Sequence, residues 1–306
     1  MARTSRIAAL VLAAAGWGVQ PVGQEPPSPL AAVVQPLIDG HRGKVAVAIK
    51  HLTSGAGFRC RPDEPMPTAS LIKLAVMIEV YQQAAEGKIK LQEPVTLRDE
   101  DKVPGSGILT QHFSAGASIP LRDAVRLMIA YSDNTATNLV LDKIGIASTS
   151  ARMEAWGFPN TKIHSKVFRR DTSLFPERSR QFGLGSTTAG EMIGLVEAIH
   201  HGDRIAEADR ATMIEHLKRC DDRDKFPRLL PRGTVVAHKT GSVDRSRTDA
   251  GIIYTKSGPV AVCVLTDENE DARWTADNAG DLLCARVARA AYDYFSNDTL
   301  EASPRP

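Results

Sequence analysis

The 306-residue sequence has no cluster of basic residues: 38 lysines and arginines are scattered among 36 aspartates and glutamates, for a net charge of +2. That balance offers nothing to a nucleic acid or an anionic membrane surface, so neither is expected as a partner. No apolar run is long enough for a membrane span, which needs roughly 18 residues. The apolar stretch Ile7 to Ala15 falls short of that. Four cysteines (Cys60, Cys220, Cys263, Cys284) stand at spacings that match no metal framework. They allow three full pairings, but two lie in apolar elements, which predicts buried thiols. His200-His201 has no nearby residue to complete a zinc site. Asp267 to Asp271 lacks the glycine and closing glutamate of a calcium loop. No metal and no cofactor is therefore expected. Internal repeats are absent too.

What is present begins with a short leader. Arg3 and Arg6 precede the run Ile7 to Ala15, whose Ala13-Ala14-Ala15 end supplies small residues for cleavage. Residues 1–20 read as a removable signal, and residues 21–40 as a proline-rich entry segment. An exported protein, periplasmic or secreted, is expected, with no integral membrane segment in the mature chain. Lys44 to Leu52 alternates apolar and polar residues before the turn Thr53 to Gly57, which predicts a hairpin. A helix that is apolar on most sides follows Ser70 and ends near Gly87, so it should run through the middle of the fold. Helices are predicted over Leu121 to Tyr131, Thr135 to Lys143, from a Ser148 cap to Trp156, from Thr188 to His200 and over Ala206 to Cys220. The stretch Asn160 to Ser186 has little periodicity and reads as a functional or loosely ordered loop. Thr234 to His238, Ala250 to Thr255 and Val260 to Thr266 are β-type runs, and Ala272 to Phe295 reads as a terminal helix.

Three motifs stand out. In Ser70-Leu71-Ile72-Lys73 a hydroxyl and an amine lie on one side of a single turn at a helix start. An amine whose pKa is pushed down could take the serine proton there. Alone, the serine would be an ordinary cap. Ser132-Asp133-Asn134 alone would be a helix-linking turn, and Lys239-Thr240-Gly241 alone a strand end. The three in this order, at these wide separations, form a set known from penicillin-recognising serine enzymes. On these residues the chain resembles the class A β-lactamases and their related serine hydrolases, from about the Val45 strand to the C-terminal helix.

The resemblance implies an α/β (α+β) fold: an antiparallel sheet of N- and C-terminal strands flanked by helices, with an all-helical subdomain. One catalytic domain would cover 41–298, with a sheet lobe of about 41–68 and 225–298 and a helical lobe of about 69–224. It implies Ser70 as nucleophile, Lys73 as its proton partner and Ser132 as donor to the departing nitrogen. Asn134 would hold the substrate's side-chain amide, while Lys239 and Thr240 bind its carboxylate. The backbone amides of Ser70 and Ser242 would form the oxyanion hole. Arg245 and Arg247 follow closely, and Arg247 is the preferred extra cation. Asp133 is read as a brace, and His238 as packing beside the strand. The expected partner is a small molecule, a β-lactam or a D-alanyl-D-alanine peptide, acted on by a monomer.

One family motif is missing. The E-x-x-L-N loop, whose glutamate activates the deacylating water, is replaced here by Lys166 to Glu177. General-base help is worth roughly two to four powers of ten in rate. Asp171 and Glu177 are the carboxylates available in that loop, neither in the motif's position. Three functions remain open: a β-lactamase with another base or slow turnover, a D-alanyl-D-alanine peptidase, and a non-turnover sensor or trap acylated by β-lactams.

Overall fold

The computed structural model describes residues 28–297. The leader, residues 1–20, lies outside them. The sheet runs in the order Gly57–Cys60, Lys44–His51, Gly258–Asp267, Ser246–Thr255, Val236–Val243, and every neighbouring pair is antiparallel. First and last segments of the chain thus build one sheet, as expected. Its strands are longer than the apolar runs suggested, because Lys239 to Val243 and Ser246 to Asp249 add polar residues to the ladder.

Alternation along the strands divides the core in two. Val45, Val47, Ile49, Val260, Val262 and Val264 face Leu30, Val34 and Ile38 of helix Pro29–Asp39 and Leu283, Val287 and Phe295 of helix Ala279–Ser296. Ala46, Ala48, Ala237, Ala250 and Ala261 point the other way, into the core shared with the helical lobe. Small residues on that face let the helices come close, while branched ones fill the space beneath the two terminal helices. Both faces are covered.

Helix Lys73–Ala85 is buried nearly all round, with Leu74, Ala75, Val76, Met77, Ile78 and Val80 completely inaccessible. It occupies the centre of the helical lobe, so the turn before it is fixed by packing from several sides. Four expectations are corrected. The entry segment is helical from Pro29, with Ser28 as cap and proline at the first position, where its missing N–H costs nothing. Ser148 does not cap its helix: Ile146–Ala155 starts at Gly145, and the Ser148 hydroxyl donates back to the Ile144 carbonyl, 2.6 Å away. The terminal helix starts at Ala279 rather than near Ala272, because the Asn278 side chain caps it by accepting from Gly280 and Asp281. The stretch Asn160 to Ser186 is well tied down. It holds short strands Lys162–Ile163 and Gly185–Thr187 and helix Pro176–Phe182. All four cysteines are free thiols; Cys220, Cys263 and Cys284 are buried, and Cys60 is half-buried.

Candidate active site

Ser70 lies in a single 3-10 turn, Ala69–Ile72, ahead of the central helix. Neighbours hold this turn from two sides. The Thr68 amide donates to Gly185 at 3.0 Å, and the Thr248 hydroxyl donates to the Thr68 carbonyl at 2.9 Å. Gly241 packs directly on it. A Cβ there would stand 2.3 Å from the Thr68 carbonyl oxygen and 2.9 Å from the Leu71 nitrogen, so only glycine lets the strand approach the serine so closely.

Ser70, Ser132, Asn134, Thr240, Gly241 and Ser242 line one cleft of about 780 Å³. Four non-glycine residues around it, Ala69, Ser132, Phe168 and Asp244, take positive φ between 38° and 58°. Such conformations cost energy, and they concentrate where function needs an otherwise unfavourable geometry.

Behind Ser132 two fully buried lysines meet. Lys73 Nζ donates to the Ser132 carbonyl at 2.7 Å and to Asn134 Oδ1 at 2.9 Å, and lies 3.3 Å from Ser132 Oγ. Lys239 Nζ lies 3.1 Å from the same hydroxyl and donates to its neighbouring carbonyl, Thr240 O, at 2.7 Å. Burial, with Lys239 adding like-charge repulsion, pushes the Lys73 pKa well below the usual lysine value, although Asp133 pulls it up. The Lys239 pKa is lowered as well, chiefly by burial. One hydroxyl therefore bridges two amines of weakened basicity. Among the described residues Ser70 Oγ makes no hydrogen bond, and the Lys73 amine is turned toward Ser132 and Asn134.

Asp133 is structural. Its carboxylate caps helix Asn134–Ile144 through the Ala136 amide at 2.8 Å and accepts from the Ile108 and Leu109 amides at 2.7 and 2.9 Å. It thereby ties the loop Gly105-Ser106-Gly107 to the Ser132 turn. Asn134 closes the same contact, its Nδ2 donating to the Pro104 carbonyl at 3.0 Å. Asp133→Ala removes one cap and leaves two further amides unpaired; we expect a loss of about 2–4 kcal/mol in urea unfolding. A change under about 0.5 kcal/mol would mean the brace carries no load.

Sequence reading placed Arg247 at the cleft; the structure does not. Its guanidinium is buried, donates to the carbonyls of Asp244, Ser246 and Arg273, and sits 4.6 Å from the centre of the Trp274 ring. The charge behind Ser242 belongs to Lys225 instead. Its amine donates to Ser242 Oγ at 3.1 Å and pairs with Asp222 at 2.9 Å and Asp281 at 3.3 Å. Burial opposes that charge, but the two carboxylates outweigh it and hold the amine protonated. Sequence reasoning missed Lys225 because nothing near it resembles a motif; the i,i+3 pair with Asp222 was the one local signal. His238 is buried and paired with Asp249 at 2.9 Å. Burial opposes its charge, yet Asp249 and Cys220 carry its pKa up to about 10.

The two loop carboxylates point away from the cleft. Asp171 pairs with Arg169 and Glu177 with Arg180, both largely exposed. Val167 lines the cleft in that loop, held on both sides by Asn138: its amide donates to Asn138 Oδ1 at 2.8 Å, and its carbonyl accepts from Nδ2 at 3.1 Å. Asn138 also escaped notice, though it stands four residues after Asn134 on the same helix face. Asp221, Asp222 and Asp244 do line the cleft, but beside the Ser242 strand rather than in this loop.

A hydroxyl that bridges two buried lysines beside a cleft serine is the constellation expected of a penicillin-recognising serine hydrolase. Residues 29–295 match the family described as the β-lactamase enzyme family, and the chain belongs to it. A β-lactamase of Bacillus licheniformis is 30% identical over 223 residues, covering 70% of this chain and 68% of that protein. The crystal structure of a β-lactamase from Sphaerobacter thermophilus superposes with TM-score 0.76 at 28% identity, over 90% of this chain and 98% of that one. The structure of PBP-A gives TM-score 0.76 at 25% identity, over 89% and 97%.

Proposed function

We propose that this protein is a serine β-lactamase-type hydrolase that β-lactams acylate on Ser70 and that clears the acyl group slowly. The observation that carries the reading is the buried Lys73–Ser132–Lys239 cluster opening onto the cleft beside Ser70. With its pKa lowered, Lys73 takes the Ser70 proton as the hydroxyl attacks the lactam carbonyl. Hydrogen bonds at a catalytic centre commonly tighten only with substrate present, so the free protein need not hold a Ser70–Lys73 bond. The oxyanion would sit between the amides of Ser70 and Ser242, each such donor being worth about 3 kcal/mol. Ser132, in contact with both amines, then passes a proton to the departing nitrogen. Lys239 and Thr240 hold the substrate carboxylate, with Lys225 keeping Ser242 oriented at that end. Asn134, which positions Lys73 through Oδ1, would present its amide to the substrate's side chain. Slow clearance is supported by Val167 occupying the cleft wall in the loop where the resemblance calls for a glutamate. The same observation keeps a second reading alive, a D-alanyl-D-alanine peptidase sharing this acylation machinery. Action as an exported monomer, outside the inner membrane, belongs to the proposal.

Mixing purified protein with a chromogenic cephalosporin while following product and intact mass tests it. A fast stoichiometric burst with a persistent acyl mass, followed by slow turnover, is expected. No adduct with any β-lactam removes the reading, and cleavage of a D-alanyl-D-alanine peptide faster than of the lactam moves it to the peptidase.

The two lysines set a pH dependence. At low pH Lys73 is protonated and cannot act as base, so the acylation rate climbs as pH rises through its depressed pKa. At high pH Lys239 loses its proton below the usual lysine range, and the carboxylate anchor goes with it. Stopped-flow acylation across about pH 5 to 11 should give a bell-shaped profile. Lys239→Arg should carry the alkaline limb upward, since guanidinium keeps its charge. An alkaline limb that stays put would detach it from Lys239.

A further inference from the structure

Phe168 is the anomaly of the cleft. It is an aromatic residue, 62% exposed, with φ at +58°. It stands third in the turn Lys166 to Arg169, closed by the Arg169 amide donating to the Lys166 carbonyl at 3.2 Å. A positive φ at the third position is what type II turns reserve for glycine. Folding gains nothing from a strained ring left in water, and the turn is not free to relax. Asn138 clamps Val167 on one side of it, and the Thr172 hydroxyl accepts from the Lys166 amide at 2.9 Å on the other.

Across the cleft mouth lies Gly105. A Cβ built there would stand 3.4 Å from Phe168 Cε2, 3.6 Å from Cζ and 2.8 Å from Asn134 Nδ2. The ring edge, the glycine loop and the Asn134 amide thus meet on the helical side of the cleft, while Thr240 and Ser242 line it from the strand Val236–Val243. A β-lactam bound with its carboxylate toward Lys239 has to send its acyl substituent the opposite way.

We propose that Phe168 forms the wall against which that acyl substituent packs, making the cleft selective for substrates with an aromatic or bulky apolar acyl group. This rests on the reading of the cleft given above. The glycine at 105 leaves the ring room to cover the substituent, and Asn134 offers its amide to the polar link that joins substituent to lactam. A ring carried on a clamped turn starts with less backbone freedom to lose when the substituent packs on it.

The test compares two probes that differ only in the acyl group: benzylpenicillin and 6-aminopenicillanic acid, which lacks it. Second-order acylation rates from intact mass are measured for wild type, Phe168→Ala and Phe168→Gly. The expected result is a preference for benzylpenicillin that falls about tenfold in both variants, as removing apolar contact from a specificity pocket does. Rates with 6-aminopenicillanic acid should stay within about twofold of wild type, because the hydrogen bonds that hold Lys73, Ser132 and Lys239 together do not involve Phe168. Phe168→Gly should also raise the melting temperature by relieving the turn, which separates lost contact from lost structure. An unchanged preference, or an equal fall for both probes, overturns the inference while leaving acylation on Ser70 intact. If wild type forms no adduct with either probe, the reading of the cleft falls and the inference with it.

Discussion

Ser70→Ala protein incubated with excess benzylpenicillin should stay at its unmodified mass while wild type gains one acyl group. Ser70 carries little structural duty. The residue is half-buried, its hydroxyl makes no hydrogen bond among the described residues, and the turn around it is held through Thr68, Leu71 and Gly241. Removing one oxygen there should alter unfolding by less than about 0.5 kcal/mol. Melting temperature and reversible ligand binding should therefore survive, and the missing adduct must be chemical in origin. Removing the nucleophile of a serine enzyme typically costs about 10⁴-fold or more in rate. An adduct of the same mass in the variant would place the reactive group elsewhere and dissolve the roles given to Lys73 and Ser132.

The sequence carried the sheet and the central helix well, because both depend on patterns that local chemistry writes plainly. Val45 to Ile49 and Val260 to Leu265 are apolar runs of strand length, although the expected apolar–polar alternation over Lys44 to Leu52 gives way to burial on both faces, and the apolar surround of Lys73–Ala85 marks a helix through the lobe. Ser70, Ser132 and Thr240 were legible only as an ordered set, since each alone is a cap or a strand end. Tertiary relations were not legible. Arg247 looked like the extra cation because it follows Lys239 closely, yet backbone carbonyls and the Trp274 ring take its guanidinium. Lys225 took the position behind Ser242 through pairs with Asp222 and with Asp281, which lies 56 residues further along the chain. Neither Asp171 nor Glu177 could be rejected from sequence, because whether a loop carboxylate faces a cleft depends on turn geometry set by distant clamps such as Asn138. Phe168 escaped for the same reason: nothing in its neighbours announces a positive φ.

The second large effect is a gain. Val167→Glu should shorten the lifetime of the acyl-enzyme by about 10² to 10⁴, the range general-base assistance supplies. The position is prepared for it, since the backbone of residue 167 is clamped through its amide and carbonyl by Asn138 and neither bond involves the side chain. Valine there is only 7% exposed but lines the cleft, so a longer side chain can carry a carboxylate from the wall into the open space beside Ser70. Partial desolvation of the new group will cost about 1–3 kcal/mol of stability, which leaves the protein folded for assay. A carboxylate near Lys73 also favours its charged form, so the acid limb of acylation should move to higher pH while the maximal acylation rate stays within about tenfold. Val167→Gln supplies the same shape without a base and should leave the lifetime close to wild type. The measurement is the decay of the acyl mass after excess penicillin is removed. If the glutamate variant acylates normally yet decays no faster than the glutamine variant, slow clearance has a cause other than a missing base at this position, and the peptidase reading gains accordingly.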